Sequence, residues 1–435
     1  MLGRPSTFGH VGSRFRHPAS PKDAVAQEGR PLPSSASPRS PEPDGATATS
    51  ASGRAVAVPA AARRTIRPLS HPTPPVLVRQ VRGRIVESEH RGHVVEADAD
   101  GHVVRVLGDP DRLVALRSCV KPFALVALLE AGGVKAFDLT PPEIAVMASS
   151  HSGEDVHVRT LQAVFRRAGV TQTVLACGAE GMPLDSLTAA RLARDGERPS
   201  SIRHMCSGQH AAAILLSRMR AWPLETYWKE DHPAQLESRL AVAHCFGTTP
   251  DRLPAATDNC GVPTFAVALR EVARAYAYLA DPAALPASDP RATVAPSLQV
   301  IRDAMLDNPE LVAGTRERLD TSLMKGLPGA VLSKGGQEGL RAISILPRAL
   351  VKISGSASGK RRATGLVVKI EDGSGHERAS WAATVEALAQ AGVLDGQPLR
   401  MLSRYHRPEV LDPHGRTVAE AIAEFELAPV GELVR

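Results

Sequence analysis

The sequence predicts an α+β domain whose antiparallel sheet is built from both ends of the ordered chain, with a helical region between them. Three observations lead there. Runs of β-branched residues cluster between residues 76 and 106 and return between 329 and 370. The stretch between them carries apolar residues at helical spacing, opened by capping residues. Strands and helices do not alternate, which argues against a doubly wound parallel sheet. There is no internal repeat and no phosphate-binding glycine loop.

The first 75 residues stand apart. They hold thirteen of the 35 prolines and no useful hydrophobic periodicity, so they bury too little apolar surface to offset their ordering entropy. They read as a disordered Pro/Ser/Arg-rich tail, either genuine or the product of an upstream start codon. They lack the apolar core of a secretory signal. Ten Lys and Arg face four Asp and Glu here, which accounts for the whole net charge of +6. The remaining 360 residues are neutral, so no nucleic-acid partner is expected. No run of eighteen apolar residues exists, so no membrane span is expected. Five scattered cysteines point to a reducing, cytoplasmic setting.

Residues 76–435 read as one catalytic domain. Val76–Val78, Arg84–Glu87, His93–Ala97 and Val103–Val106 have strand character, and Asp98-Ala99-Asp100-Gly101 is a hairpin turn. An apolar helix follows Arg117-Ser118-Cys119-Val120-Lys121-Pro122. Thr140-Pro141-Pro142-Glu143 opens another helix. A third, over residues 154–167, places Val158, Leu161, Val164 and Phe165 on one face. Two polar junctions lead into apolar helices: His204 to His210 before Ala211–Leu216, and Thr257 to Thr264 before Phe265–Tyr278. Strands return at Gly329–Gly336, Ile343–Leu346 and Gly365–Ile370, followed by a helix near 379–392. From residue 400 on, a short tail packs on the body.

Four stretches carry chemistry. Ser118 and Lys121, three apart on a helix, share a face, and a lysine whose ammonium is destabilised by burial or a cation can take a hydroxyl proton. Lys334-Gly335-Gly336 ends a strand where two glycines let a ligand approach. Ser149-Ser150-His151-Ser152-Gly153-Glu154 reads equally as a helix cap and as a set of catalytic donors. His151 and Ser150 are sequence neighbours and do not share a face, which favours lysine bases over a Ser-His pair. The order S-x-x-K, serine motif, K-G-G follows that of penicillin-recognising enzymes. Cys206 and Cys260 each stand beside a glycine at a loop-helix junction, as semi-buried thiols or as zinc ligands.

Taken together, R-S-C-V-K-P (117–122), S-S-H-S-G-E-D (149–155), A-C-G (176–178), C-S-G-Q-H-A (206–211), T-D-N-C-G-V-P-T (257–264) and S-K-G-G-Q-E-G (333–339) resemble the asparaginase II, Rhizobium etli-type family. The resemblance spans roughly residues 76–425. It implies a serine β-lactamase-like fold, hydrolysis of L-asparagine to L-aspartate and ammonia, and a homodimer. It implies two Ser-Lys pairs, Ser118 with Lys121 and Ser150 with Lys334. It places Arg117, Asp258 and His151 at the substrate, with Asp258 holding the α-amino group. It also implies zinc on two cysteines and a lysine, here Cys206, Cys260 and, where the lysine would be, Gln209. An amide oxygen is a weak zinc ligand, so zinc would bind weakly, use His204 or His210 instead, or be absent; where bound, its role would be to position loops and tune affinity. No organic cofactor is expected. The rivals on the same fold are a glutaminase, a penicillin-recognising hydrolase and a catalytically weak zinc- or amino-acid-binding member.

Overall fold

The β-branched runs at the two ends of the domain meet in one sheet. The computed structural model describes residues 72–180, 182–347, 362–373 and 376–430. The predicted tail therefore lies outside the described residues up to residue 71. Strands β1 (Val76–Arg82), β2 (Ile85–Asp98) and β3 (Val103–Leu107) come from the first end. Strands β7 (Val331–Gly335), β8 (Leu340–Ile345) and β9 (Thr364–Ile370) come from the second, followed by β10 (Glu409–Leu411) and β11 (Thr417–Ala423). The order is β10-β11-β1-β2-β9-β8-β7, with β3 also on β2. All pairings are antiparallel, and β2 is the junction: its second half pairs with β9 from Gly92 opposite Ile370 to Asp98 opposite Thr364.

Side chains alternate across a strand, and here both faces are covered. Val95, Ala97 and Val367 enter one core, while Val94, Leu366 and Val368 enter the other. Helix Leu269–Ala280 covers the first face. Helix His376–Gln390 packs against the other core. The first packing is close enough to require a glycine. A Cβ on Gly365 would lie 1.9 Å from the Ala273 carbonyl oxygen and 2.7 Å from the Ala277 nitrogen. Both are backbone atoms and cannot swing aside. Gly365→Ala is expected to destabilise the domain by about 3 kcal/mol. A urea transition matching wild type would show that helix and strand can separate freely.

The sequence expectations hold for most elements and miss three. The strands expected at Arg84–Glu87 and His93–Ala97 are one continuous β2, because its polar stretch pairs with β1 on the sheet's exposed portion. Residues Phe265–Ala268, expected as helix, form part of β6 (Pro263–Ala268). This strand pairs on both sides, with β4 (Leu113–Ala115) and β5 (Ala255–Thr257). The proline that opens β6 disfavours a helix for the residue before it, and Phe265 and Val267 bury alternately as a strand requires. β10 is only three residues long and pairs with β11, which in turn pairs with β1, so each is placed by its neighbour across the sheet.

The middle of the chain is helical, as expected. Helices Pro141–Met147, Asp155–Ala168, Ser207–Met219 and Ala295–Asp307 pack around Ile144, Leu161, Ile214 and Leu298. Thr140 and Glu143 close a reciprocal capping box, the Glu143 carboxylate accepting from the Thr140 N–H at 2.9 Å. The S-x-x-K stretch is a 3₁₀ turn, Arg117–Val120, running into helices Lys121–Ala124 and Val126–Glu130. Among the described residues no helix is long and apolar enough to cross a membrane.

Candidate active site

The 3₁₀ turn that carries Ser118 is held open by its neighbour. Arg117 has φ of +46°, in the left-handed region that costs energy for any residue with a Cβ. It is fixed there from several directions. Its N–H donates to Thr264 Oγ1 at 3.0 Å, its Nε to Asp258 Oδ1 at 3.0 Å, and its Nη2 to Gln337. Arg117 and Asp258 thus satisfy each other as a half-buried ion pair. The expectation that Asp258 meets the substrate's α-amino group finds its carboxylate engaged with Arg117 instead. Asn259, next in sequence, lines the cleft. Ser118 is 5 % exposed, at the cleft wall.

Both lysines are buried, and both reach the same hydroxyl. Lys121 Nζ donates to the Ser149 carbonyl at 2.8 Å, contacts Ser150 Oγ at 3.1 Å and donates to Cys206 Sγ at 3.2 Å. Lys334 Nζ contacts Ser150 Oγ at 2.8 Å and the Gly335 carbonyl at 2.7 Å. The pairing of Ser150 with Lys334 is present. The pairing of Ser118 with Lys121 is not: the three bonds of Lys121 go elsewhere and none reaches Ser118. A buried amine satisfies its donors with the acceptors within reach, here a carbonyl oxygen, the Ser150 hydroxyl and a sulfur. Burial first, and then the charge of Lys121, push the Lys334 amine down to about 7. That is the range in which an amine serves as a general base near neutral pH.

Ser150 is positioned by a strap that the sequence reading assigned to no function. Its N–H donates to the Val312 carbonyl at 3.0 Å, and its carbonyl accepts from Arg318 Nη2 at 3.0 Å. Between these anchors Thr315 N–H donates to Glu154 Oε1 at 2.8 Å, and Arg316 pairs with Asp185 and Glu154. Gly314 sits so close to Ser152 that a Cβ would fall 2.3 Å from its hydroxyl. Glycine at that place and an arginine-rich Thr315-Arg316-Glu317-Arg318 run were the available signals.

His151, expected at the substrate, is fully buried. Its Nδ1 accepts from the Gly153 N–H at 3.1 Å, and its Nε2 meets Ser207 Oγ at 2.9 Å. Ser207 already donates to the Ile202 carbonyl, so Nε2 carries the ring proton. Burial, and then His157 stacked 4.6 Å away, hold the ring well below its usual pKa and neutral. It shapes the Ser149–Glu154 turn and does not face the cleft.

The lysine strand is anchored from behind. Asp320 is buried and accepts from Ser333 Oγ at 2.6 Å, Gly335 N–H at 2.9 Å and Arg341. Burial raises its carboxyl, but Arg341, Lys334 and those hydrogen bonds together hold it down at about 2. In front of this anchor opens a cleft of about 400 Å³, lined among others by Ser118, Ser150, Arg318, Gly336 and Gln337.

Behind Lys121 the two cysteines lie together. A hydrogen bond from Cys260 and the charge of Lys121 hold Cys206 well below the usual thiol range, against its burial, while Cys260 is pushed up. Lys121 Nζ lies 3.2 Å from the Cys206 sulfur. The cysteine pair is not a complete zinc site. Among the described residues no third His, Cys, Asp or Glu joins the two sulfurs at ligand spacing. His204 is turned to accept the Cys206 N–H at 3.0 Å. His210 binds Tyr227 at 2.6 Å. Gln209 lines a separate small cavity with Lys121 and Ala124. Two thiol sulfurs and an amide do not fit the tetrahedral N/S set that zinc requires.

A comparison with curated protein sequences finds no match. Among solved structures the chain is similar to a Bacillus subtilis glutaminase in covalent complex with 5-oxo-L-norleucine. The identity is 11 %, covering 73 % of this chain and 93 % of that one, with a TM-score of 0.33. It is also similar to Mglu in its L-glutamate-binding form, at 15 % identity over 74 % of this chain and 65 % of that one, TM-score 0.32. The superpositions are loose. The sequence match is not: the family model described as L-asparaginase II aligns with residues 78–423, from the second residue past the start of β1 to the last residue of β11. With both lysines converging on one serine inside that span, the chain is an amidohydrolase and belongs to the L-asparaginase II family.

Proposed function

We propose that the protein is an L-asparaginase that hydrolyses the side-chain amide of L-asparagine to L-aspartate and ammonia through a Ser-Lys relay. The observation that carries this reading is the meeting of Lys121 and Lys334 at Ser150 Oγ, at 3.1 and 2.8 Å, on the cleft that Ser118 also lines. A hydroxyl has one proton and two lone pairs. Ser150, gripped by two amines, is suited to pass protons. Ser118, which neither lysine holds, is suited to attack.

Ser118 Oγ forms a bond to the carboxamide carbon. Its proton passes to Ser150, whose own proton goes to the neutral Lys334 amine. As the tetrahedral intermediate collapses, the C–N bond breaks and the proton returns through Ser150 to the departing nitrogen, which leaves as ammonia. Water then attacks the acyl ester along the same relay, releasing aspartate and restoring Ser118. Lys121 orients Ser150 throughout, tied to Ser149 and Cys206.

The test is to measure ammonia release from asparagine and glutamine side by side. In parallel, a diazo-ketone analogue of asparagine is reacted with the enzyme and the mass tag mapped. The tag is expected on Ser118. A tag on Ser150 would make that residue the nucleophile, with Lys334 its direct base. Faster ammonia release from glutamine would reassign the substrate.

A further inference from the structure

The two thiols behind Lys121 have no third His, Cys, Asp or Glu at ligand spacing among the described residues. Both are free and buried, and Cys260 hydrogen-bonds to Cys206. A zinc ion would shield such a pair, but Gln209 stands where the third ligand would be, and an amide does not complete the set. Two neighbouring thiols without a metal are a dithiol, which can be oxidised to a disulfide. The two sulfurs stand on different segments of the site. Cys206 opens helix Ser207–Met219, and its sulfur accepts from Lys121 Nζ at 3.2 Å, the same amine that reaches Ser150 Oγ. Cys260 lies in a turn closed by the Gly261 N–H on the Asp258 carbonyl at 2.8 Å, and Asp258 holds Arg117, the residue before Ser118. Each sulfur thus belongs to a segment that positions one of the two serines. Met205 and Asn259, the residues before them, line the cleft. The other cysteines are engaged elsewhere. Cys119 and Cys177 donate to the carbonyls of Lys334 and Ser201, and Cys245 is sealed in the core.

We propose that Cys206 and Cys260 form a reversible disulfide under a hydroperoxide oxidant, and that this bond slows amide hydrolysis. Hydrogen peroxide first oxidises one thiol. Its S–H bond and the O–O bond break, an S–O bond forms and water leaves. The second sulfur then displaces the hydroxyl of that sulfenic acid. The S–S bond forms, the S–O bond breaks, and the proton of the second thiol leaves with the hydroxyl as a second water. Two electrons have passed from the sulfurs to the peroxide. A dithiol reductant restores both thiols by exchange. In the bridge Cys206 Sγ is turned to Cys260 and lost as an acceptor for Lys121, whose hold on Ser150 then loosens. The bond itself stands apart from the asparaginase reading; only its effect on turnover rests on it.

The test treats the full chain with hydrogen peroxide, with and without added zinc, and maps disulfides by mass spectrometry of unreduced peptides before and after dithiothreitol. The bridge is expected to join Cys206 to Cys260, and two of the five free thiols to disappear with it. Ammonia release from asparagine is expected to fall roughly three- to tenfold, the weight of one lost hydrogen bond, and to recover on reduction. Cys260→Ser is expected to keep its turnover within about threefold of wild type under reducing conditions and to form no bridge under peroxide. A bridge from Cys206 to Cys177, or none at all, would overturn the proposal. So would one zinc ion per chain held on these two sulfurs and protecting them from peroxide. An equal reversible loss of turnover in Cys260→Ser, or a bridge that leaves ammonia release unchanged, would overturn the switch. A bridge in a protein that releases no ammonia before or after reduction would sink the asparaginase reading and leave the dithiol standing.

Discussion

Lys334→Met is expected to lower kcat for amide hydrolysis by about 10³-fold, the upper range for a lost general base, without lowering the stability of the fold. The lysine is fully buried and its amine is disfavoured there by desolvation and by Lys121. Methionine fills a similar volume, and it removes a buried amine together with the desolvation that disfavours its charge. A structural lysine would show the opposite pattern, with melting temperature falling and kcat little changed. The same group dictates the pH dependence. Its folded pKa lies near 7, below the ordinary lysine value. The base is competent only when neutral, so kcat/KM should rise with pH and level off above about 7. Below that it should fall about tenfold per unit. A profile flat from pH 5 to 8, measured by ammonia release, would remove Lys334 from the role of base.

Asp320→Ala is expected to cost about 3–5 kcal/mol of folding stability, because it leaves Arg341 without its counter-ion in a buried place. The carboxyl is held at about 2 in the folded protein, against an ordinary unfolded value of about 4. A depressed folded pKa contributes stability that is fully present above the unfolded value and is lost as pH falls through the folded one. The Asp320 contribution should therefore fade between about pH 4 and about pH 2, and a wild-type urea midpoint unchanged across that window would count against it. The milder Asp320→Asn carries a second readout. The negative charge of Asp320 raises the Lys334 pKa. Removing it should move the acid limb of the activity profile to lower pH. A limb that stays in place would show that the two groups are not electrostatically linked.

Much of the site is legible along the chain. Ser118, Lys121, Ser150 and Lys334 stand in short motifs at helix starts and a strand end, where local rules place exposed hydroxyls and close-approach glycines. β2, β3 and their Asp98–Gly101 turn follow from alternation and turn chemistry. The Thr140 cap follows from its Pro-Pro-Glu sequel. β10 and β11 do not, since β10 is three residues long and both are placed by the strands they pair with, β11 by β1 and β10 by β11. Nor does Arg318, whose importance lies in reaching Ser150 across 168 residues.

The sequence by itself determined which residues are the candidates for the chemistry and that both ends of the domain build the sheet, since these depend on residue type, local periodicity and order. Only the tertiary structure decided who partners whom. Lys121 turns from its near neighbour Ser118 to Ser150 and Cys206 because a buried amine goes to the acceptors within its reach in space. Asp258 is drawn to Arg117, His151 is sealed into the turn, and among the described residues no third His, Cys, Asp or Glu joins the two cysteines. Burial and long-range contact set those choices, and neither is encoded in spacing along the chain.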